Sequence, residues 1–219
     1  MAHSWSPKGL HEFVCDNVIR KYARPGLRAI DLGTGGGSMA EKMRDLGCDV
    51  IASDLSAEWY KADLPHITVD MNERDFASVL GEHAYGLVTA IEVIEHLESP
   101  ISFLRNVERL LSPGGVGVVS TPNVDSLPAR LRFLQTGKLR MMDDRGEPTH
   151  ISPLFFDLVQ RKYLPIAGLR LREHLVFPSD GFHASRKSVA WVMVMCARAF
   201  QAKSIIGDHQ ILVLEKSVA

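Results

Sequence analysis

The stretch Ala29-Ile-Asp-Leu-Gly-Thr-Gly-Gly-Gly-Ser38 decides the fold of this 219-residue chain. A short apolar run, Arg28–Leu32, predicts a buried strand that carries Asp31 near its end, and the residues after the glycines predict a helix. The loop between them holds Gly33, Gly35 and Gly37. Glycine permits a tight turn and a close approach of the backbone to a ligand, and a helix N-terminus offers N–H groups to an anion. The stretch therefore predicts a strand–loop–helix ligand site.

Apolar runs and helical patterns alternate along the rest of the chain. Strands are predicted at Arg28–Leu32, Cys48–Ser53, Ile67–Val69, Gly86–Ala90, Val116–Ser120, Leu169–Val176 and Gln210–Glu215. Helices are predicted at Ser38–Leu46, Ala57–Lys61, Phe76–Leu80, Pro100–Leu111, Leu131–Leu134 and Leu154–Tyr163, the last with Ser152 as its cap and Pro153 at its first position. Ser112–Gly115 predicts a turn. The alternation predicts an α/β, doubly wound parallel sheet.

Composition limits the class of protein. Hydrophobic residues make up 46% and charged residues 23%, which is typical of a globular chain, and the length favours a single domain over residues 1–219. The net charge of 25 − 26 = −1 gives no general basic footprint for nucleic acid. Three scattered cysteines support neither a disulfide framework nor a cysteine zinc site. Because no apolar run is long enough to span a bilayer, we expect a cytoplasmic protein.

A second acidic residue supports a nucleoside ligand. Asp54 ends the second predicted strand about twenty residues after the glycine loop, where a carboxylate can hold both hydroxyls of a ribose. A dinucleotide site is the first rival, but its pattern needs a third glycine or alanine where this chain has Ser38. Asp31, directly before the loop, suits a ligand with an α-amino group and a sulfonium. A glycine-rich structural turn is the remaining alternative.

These residues together resemble the class I S-adenosylmethionine-dependent methyltransferases, and among them the ubiquinone-biosynthesis O-methyltransferase-like (methyltransferase type 11/23) group. The matching motifs are Asp31–Gly37, Asp54, Thr68–Asn72 as the adenine segment, Tyr85–Ile91 and Leu111–Gly115. The resemblance implies a Rossmann-like seven-stranded sheet, mostly parallel with one antiparallel strand, and S-adenosyl-L-methionine as the cofactor. The implied cofactor-binding residues are Asp31, Gly33, Thr34, Gly35, Gly37, Asp54, Leu55, Asp70, Met71 and Ile91.

A carboxylate and histidine cluster follows the fourth predicted strand. Glu92, Glu95 and His96 fall on one face of a helical turn, and His150 follows later. Two carboxylates and two imidazoles form a candidate site for Mg²⁺ or Mn²⁺. The set resembles both the ubiquinone-biosynthesis O-methyltransferases and the small-RNA 3′-terminal 2′-O-methyltransferases. In the metal-free alternative these residues order the loop or line the substrate pocket, and His150, His96 and Glu95 are the catalytic candidates.

Three segments lie outside the resemblance. Residues 1–27 predict an added helical segment without chemistry of its own, and residues 121–153 a lid or substrate insertion. That insertion carries five basic and four acidic residues, a weak charge patch that disfavours RNA. Val189–Phe200 is apolar nearly all round. Four interpretations of this segment stay open: an interfacial helix at a membrane, a wall of an apolar acceptor pocket, a buried element and a dimer interface. Trp5, Trp59 and Trp191 are interpreted as packing residues.

The sequence as a whole predicts a methyltransferase that acts on a small-molecule acceptor, at a hydroxyl oxygen. Such a reaction needs alignment of the acceptor with the methyl group and removal of the hydroxyl proton, which suits a histidine with an ordinary pKa of about 6.5. The alternatives are a metal-dependent RNA 2′-O-methyltransferase, a non-catalytic S-adenosylmethionine-binding scaffold and, more distantly, a nicotinamide dehydrogenase. A homodimer and peripheral membrane contact are compatible with the sequence.

Overall fold

A seven-stranded sheet organises the computed structural model, which describes residues 6–142, 148–182 and 205–217. Its strands are β1 (Arg28–Leu32), β2 (Asp49–Asp54), β3 (His66–Thr68), β4 (Tyr85–Ile91), β5 (Leu111–Pro122), β6 (Leu169–Phe177) and β7 (His209–Lys216). Their order is β3-β2-β1-β4-β5-β7-β6. The strands β1 to β5 pair in parallel, and β7 runs antiparallel to both of its neighbours. The predicted α/β sheet with one antiparallel strand is confirmed.

Helices cover both faces of this sheet. They are α1 (Leu10–Val14), α2 (Arg20–Tyr22), α3 (Ser38–Asp45), α4 (Phe76–Leu80), α5 (Pro100–Leu110), α6 (Leu127–Thr136), α7 (Phe156–Leu158) and α8 (Leu164–Ile166). Cys15–Ile19 joins α1 to α2, and Val159–Tyr163 joins α7 to α8, each as a π-helical segment. Within the described residues, no helix combines the length and apolarity needed to cross a membrane.

Each face of the sheet has its own apolar core. On one face, α5 buries Phe103, Leu104 and Val107 against the strands, and its first turn is capped by the Ser99 hydroxyl, which accepts from the Ser102 N–H at 3.3 Å. On the other face, α1 and α3 bury residues such as Leu10 and Met39. The two cores fix the sheet between helices, so that the carboxyl ends of its parallel strands form one rigid edge.

Two predicted local elements were wrong. Ala57–Lys61 forms a turn rather than a helix, closed by the Tyr60 N–H on the Ala57 carbonyl at 3.2 Å. Ser112–Gly115 is a bulge inside β5: Tyr85 pairs with Leu111, but Leu87 already pairs with Val116. Both errors arise where the chain leaves regular geometry over only a few residues.

The predicted helix Leu154–Tyr163 is present, but its bounds and its cap differ from those predicted. It begins at Phe156 and, through its π-helical segment, continues to Ile166. The expected cap, Ser152, instead donates its hydroxyl to the Leu97 carbonyl at 2.6 Å, while the Phe156 N–H is capped by Asp125 at 2.7 Å. A distant side chain has therefore taken the role that the local sequence assigned to Ser152.

Some predictions concern residues outside those described. Val189–Phe200, Trp5 and Trp191 are among these. The part of residues 121–153 that is described begins with the last two residues of β5 and contains α6, which includes the predicted helical Leu131–Leu134. The insertion as a lid stays a prediction.

Candidate active site

A cavity of about 780 Å³ opens at the carboxyl ends of the parallel strands. It lies where the strand order reverses between β1 and β4, the position at which open α/β sheets bind ligands. All the predicted cofactor-binding residues except Gly37 line it. The predicted residues Glu92, His96 and His150 also line it, while Glu95 lies behind its wall, fully buried.

Two glycines of the loop are required by their surroundings. Gly33 has φ +66°, and a Cβ at this position would lie 2.4 Å from Cγ2 of Val93. Gly37 has φ +93°, and its Cβ would lie 2.5 Å from that of Ala62. Gly37 thus serves the entry into α3 and its packing, not the cavity wall. The loop holds a backbone path that other residues cannot follow without strain.

Asp31 is the most buried acid of the cavity, with 2% exposure. The Thr89 hydroxyl donates to its Oδ1 at 2.6 Å, and the Thr34 hydroxyl to its Oδ2 at 2.8 Å. Burial raises the pKa of Asp31 to about 6 despite these bonds, because the ionised form loses its hydration. A cationic ligand group beside it would favour the ionised form further.

Asp54 ties the glycine loop to the second strand. Its Oδ2 accepts from the Gly35 N–H and its Oδ1 from the Leu55 N–H, both at 2.7 Å. Each carboxylate oxygen has a second lone pair for a ligand hydroxyl. The side chain therefore stands at the cavity wall in a fixed orientation, as a ribose-binding acid must.

The adenine side of the predicted site is ordered in the same manner. The Asn72 N–H donates to Oδ1 of Asp70 at 2.8 Å, and Oδ1 of Asn72 accepts from the Glu98 N–H at 2.9 Å. Trp59 also lines the cavity and is 56% exposed, so that its interpretation as a packing residue was wrong. A large exposed aromatic side chain at a cavity is typical of a ligand contact.

Glu95, His96 and His150 come together beside the cavity, with one ligand atom from each within 4.8 Å of the others. Nε2 of His150 lies 3.9 Å from Oε1 of Glu95, and the two imidazole rings make an edge contact at 4.6 Å. Nδ1 of His150 lies 2.7 Å from the Met141 carbonyl oxygen, and Nδ1 of His96 3.2 Å from that of Thr149. Donation from Nδ1 to a carbonyl makes Nε2 the electron-pair donor of each neutral ring.

Burial and the charge of Glu92 raise the pKa of Glu95 well above its usual range. Both of its carboxyl oxygens are buried, and neither makes a hydrogen bond of normal geometry to a described residue. Because a buried carboxylate without such bonds is costly, a cation beside this side chain would stabilise it.

Glu92 lies outside this cluster, although the sequence grouped it there. Its backbone has φ +58°, and its carboxylate turns toward β5 and β7. The Ser120 hydroxyl donates to Oε1 at 2.8 Å, and Nδ1 of His209 lies 2.8 Å from Oε2. The helical-turn argument failed because the first residue of the group precedes the short 3-10 turn Ile94–His96 instead of belonging to it.

Two histidines of the cavity were missed from the sequence. His11, on α1, is 7% exposed and accompanies Ser6 and Pro7 in the wall, contrary to the expectation that residues 1–27 carry no chemistry. Burial lowers the pKa of His11 to about 4. His209 opens β7, whose antiparallel direction brings its first residue to the same edge as the ends of the parallel strands. The resemblance already implied one antiparallel strand, and this expectation could have placed His209 at the cavity.

Known proteins match the chain over its central part. A family profile described as "Methyltransferase domain" matches residues 8–177. A ubiquinone biosynthesis O-methyltransferase of Xanthomonas campestris pv. campestris (strain B100) is 35% identical over 115 residues, covering 49% of this chain and 48% of the relative. The protein of the same name from Caulobacter sp. (strain K31) is 31% identical over 148 residues, covering 56% and 59%. The chain thus spans about half the length of the curated relatives it matches.

Solved structures share the fold at low identity. A SAM dependent methyltransferase from Archaeoglobus fulgidus matches with TM-score 0.63 and 18% identity over 94% of both chains. The phosphoethanolamine N-methyltransferase 2 of Haemonchus contortus, in complex with S-adenosyl-L-methionine, matches with TM-score 0.60 and 14% identity over 97% of this chain and 54% of that one. These likenesses show the fold alone, whereas the profile match over most of the chain shows the family. The chain belongs to the methyltransferase-domain family.

Proposed function

We propose that this chain transfers a methyl group from S-adenosyl-L-methionine to a hydroxyl oxygen of a small, uncharged acceptor. The observation that carries the proposal is that one cavity is lined both by Asp31, Asp54 and Asp70 and by several histidines. The first group suits a cationic nucleoside ligand, and the second suits a hydroxyl acceptor.

The residues present fit the cofactor. Asp31, buried and unfavourably charged, suits the α-ammonium group; Asp54 suits the ribose hydroxyls; and Asp70 suits the amine of an adenine. At Gly33 a side chain would collide with Val93, so that the backbone is left bare at the cavity. The names of the relatives, ubiquinone biosynthesis O-methyltransferases, favour oxygen as the acceptor atom.

The charge of the cavity favours an acceptor without phosphate or carboxylate groups. Among the described residues that line it, four are acidic and none is lysine or arginine: Asp31, Asp54, Asp70 and Glu92 are the acids. An RNA end would bring phosphates to this wall, and recognition of phosphate depends on basic side chains. The RNA alternative is therefore disfavoured, as the weak charge patch of the insertion also indicates.

The chain contributes alignment and proton removal. When bound, S-adenosyl-L-methionine supplies an electrophilic methyl group on a sulfonium. Asp31 and Asp54 would hold the ammonium group and the ribose of this ligand in a fixed orientation, and the histidines hold the acceptor hydroxyl and accept its proton. Holding two reactants in line replaces a bimolecular encounter with a reaction inside one complex.

A transfer assay tests the proposal. Purified protein and S-adenosyl-L-methionine with a labelled methyl group are incubated with phenols, aliphatic alcohols, primary amines and a short RNA, and the products are identified by mass spectrometry. We expect O-methylated products from uncharged hydroxyl acceptors only. Methylation of the RNA or of amines alone would contradict the acceptor class. Tight binding of S-adenosylhomocysteine without transfer to any acceptor would instead support the scaffold alternative.

We further propose that Glu95, His96 and His150 hold a divalent cation next to the acceptor. The fit rests on the unpartnered carboxyl of Glu95 and on the 3.9 Å separation from His150, because ligand atoms about 2.1 Å from one ion lie within about 4.2 Å of each other. Two imidazoles and one carboxylate suit Zn²⁺, Fe²⁺ or Mn²⁺ better than Mg²⁺. Such a cation would lower the pKa of a coordinated acceptor hydroxyl.

Titration with Mn²⁺, followed by its paramagnetic resonance signal, tests the metal without any turnover. We expect stoichiometric binding to the wild-type protein and none to Glu95→Gln, which keeps the size of the side chain. Glu98→Gln, an exposed neighbour, is the matched control. Equal binding by both variants would place the cation elsewhere.

A further inference from the structure

We propose that His209, oriented by Glu92 and Ser120, is the group that takes the proton from the acceptor hydroxyl. The inference rests on the proposed function, because only a hydroxyl acceptor must lose a proton in this way. His209 is not among the catalytic candidates, His150 and His96, that the sequence predicted.

The fold places His209 at the reacting edge. His209 is the first residue of β7 and pairs with Pro122, the last residue of β5. Because β7 runs antiparallel to β5, its beginning meets the carboxyl ends of the parallel strands. The imidazole is 3% exposed and lines the cavity.

A chain of hydrogen bonds fixes the ring. The Nδ1–H of His209 donates to Oε2 of Glu92 at 2.8 Å. The Ser120 hydroxyl accepts from the Glu92 N–H at 3.0 Å and donates to Oε1 of the same residue at 2.8 Å. With Nδ1 as the donor, Nε2 carries the lone pair, and the carboxylate stabilises the imidazolium that forms when Nε2 takes a proton.

The backbone of Glu92 is held in a costly conformation. Its φ of +58° lies in the left-handed region, which residues other than glycine rarely adopt. Both of its interactions with Ser120 secure that conformation and aim the carboxylate at His209. Strain of this kind persists where the surrounding structure imposes it, and it is concentrated at functional sites.

Among the described residues, His150 has no equivalent carboxylate partner. Its Nδ1 lies against the Met141 carbonyl, and the described carboxyl that pairs with it, that of Glu95, is 3.9 Å from Nε2. The two clusters thus divide the work: His209 takes the proton, while Glu95, His96 and His150 position the acceptor.

The step balances as follows in atoms and charge. The acceptor oxygen forms the new O–C bond while the S–C bond breaks and leaves its electron pair on sulfur. The hydroxyl proton passes to Nε2 of His209, and the positive charge that leaves the sulfonium appears on the imidazolium beside Glu92. The proton is later released to water.

The His209→Asn variant tests the proposal because an asparagine amide can still donate to Glu92 but cannot accept a proton. We expect kcat on catechol to fall about 10²-fold or more, with KM and the affinity for S-adenosylhomocysteine within about twofold. On 4-nitrocatechol, whose hydroxyl is far more acidic, the loss should be at least tenfold smaller. His83→Asn is the control: it lies far from the cavity, and asparagine tolerates its φ of +52°.

Equal losses on the two catechols, or a kcat within threefold of the wild type, would overturn the proposal. A second readout requires no turnover: nitrogen NMR of labelled histidine should show His209 protonated at Nδ1, and Glu92→Leu should abolish that preference. Protonation at Nε2 in the wild type would also overturn it. If the wild type methylates neither catechol, the proposed acceptor class fails, while the NMR result still decides the orientation of His209.

Discussion

At the scale of single residues, the pKa values of two buried cavity groups are shifted toward their uncharged forms. Asp31, which accepts from two threonine hydroxyls, has its pKa raised to about 6, and His11, which also lines the cavity, has its pKa lowered to about 4. Both shifts are caused mainly by burial. A buried group whose charge is suppressed in this way reduces stability under conditions that charge it, which is typical of sites adapted to a ligand.

Asp31→Asn should stabilise the free protein and lower its affinity for the cofactor. Since the folded-state pKa is raised, the folded protein holds this proton more tightly than the unfolded chain does, and stability falls as pH rises from about 4 through about 6. Above that range we expect a higher Tm for the variant than for the wild type. Calorimetry should show S-adenosylhomocysteine bound at least about tenfold more weakly, because the partner of its ammonium group has lost its charge. Equal affinity would contradict the assigned contact.

His11→Asn should make the free energy of unfolding less sensitive to acid. A folded-state pKa lowered from 6.5 to about 4 means that the unfolded chain takes up the proton first, so that stability is lost as pH falls through this range. Between pH 7.5 and pH 5 the wild type should lose about 2 kcal/mol relative to the variant, as measured by urea unfolding. His83→Asn serves as the control. Parallel pH profiles for the wild type and His11→Asn would refute the buried neutral state.

At the scale of elements, regular geometry could be predicted and its interruptions could not. The parallel strands β1, β2, β4 and β5 are buried on both faces, so that each appears in the sequence as a continuous apolar run. The wrong cap at Ser152 and the missed position of His209 at the cavity share another cause. Hydrogen bonds between residues far apart in the chain determine both, and hydrophobic patterning carries no information about them.

Substitution of Asp125 tests how much such a long-range hydrogen bond contributes to stability. Oδ2 of Asp125 accepts from the Phe156 N–H at 2.7 Å and so caps α7, for which the preceding Phe155 has no polar side chain. Asp125→Ala should cost about 1 kcal/mol in the free energy of unfolding, whereas Asp125→Asn, which keeps an acceptor oxygen, should cost a few tenths. Urea unfolding of both variants measures the difference. Equal costs would mean that the cap contributes no stability.

At the scale of the whole molecule, the strand order assembles the site from residues far apart in the sequence. Asp31, Asp54, Glu92 and His209 lie at the ends of four different strands and meet only because β1 lies between β2 and β4, and β7 runs opposite to β5. The resemblance of a few motifs predicted many of the residues that line this cavity, and their role in holding a cofactor stays a prediction. The rest of the wall comes from α1, Met141, Thr149, His150 and β7, where the sequence offers no comparable motif.

The most direct test of the account is a calorimetric titration with S-adenosylhomocysteine of the wild type, Asp54→Ala and Asp49→Ala. Asp54 and Asp49 are the last and first residues of the same strand, but only Asp54 lines the cavity. We predict micromolar binding by the wild type and Asp49→Ala, and at least about tenfold weaker binding, or about 1.4 kcal/mol, by Asp54→Ala with its fold retained. No binding by the wild type, or equal affinity in all three proteins, would contradict the claim that this edge of the sheet holds the methyl donor.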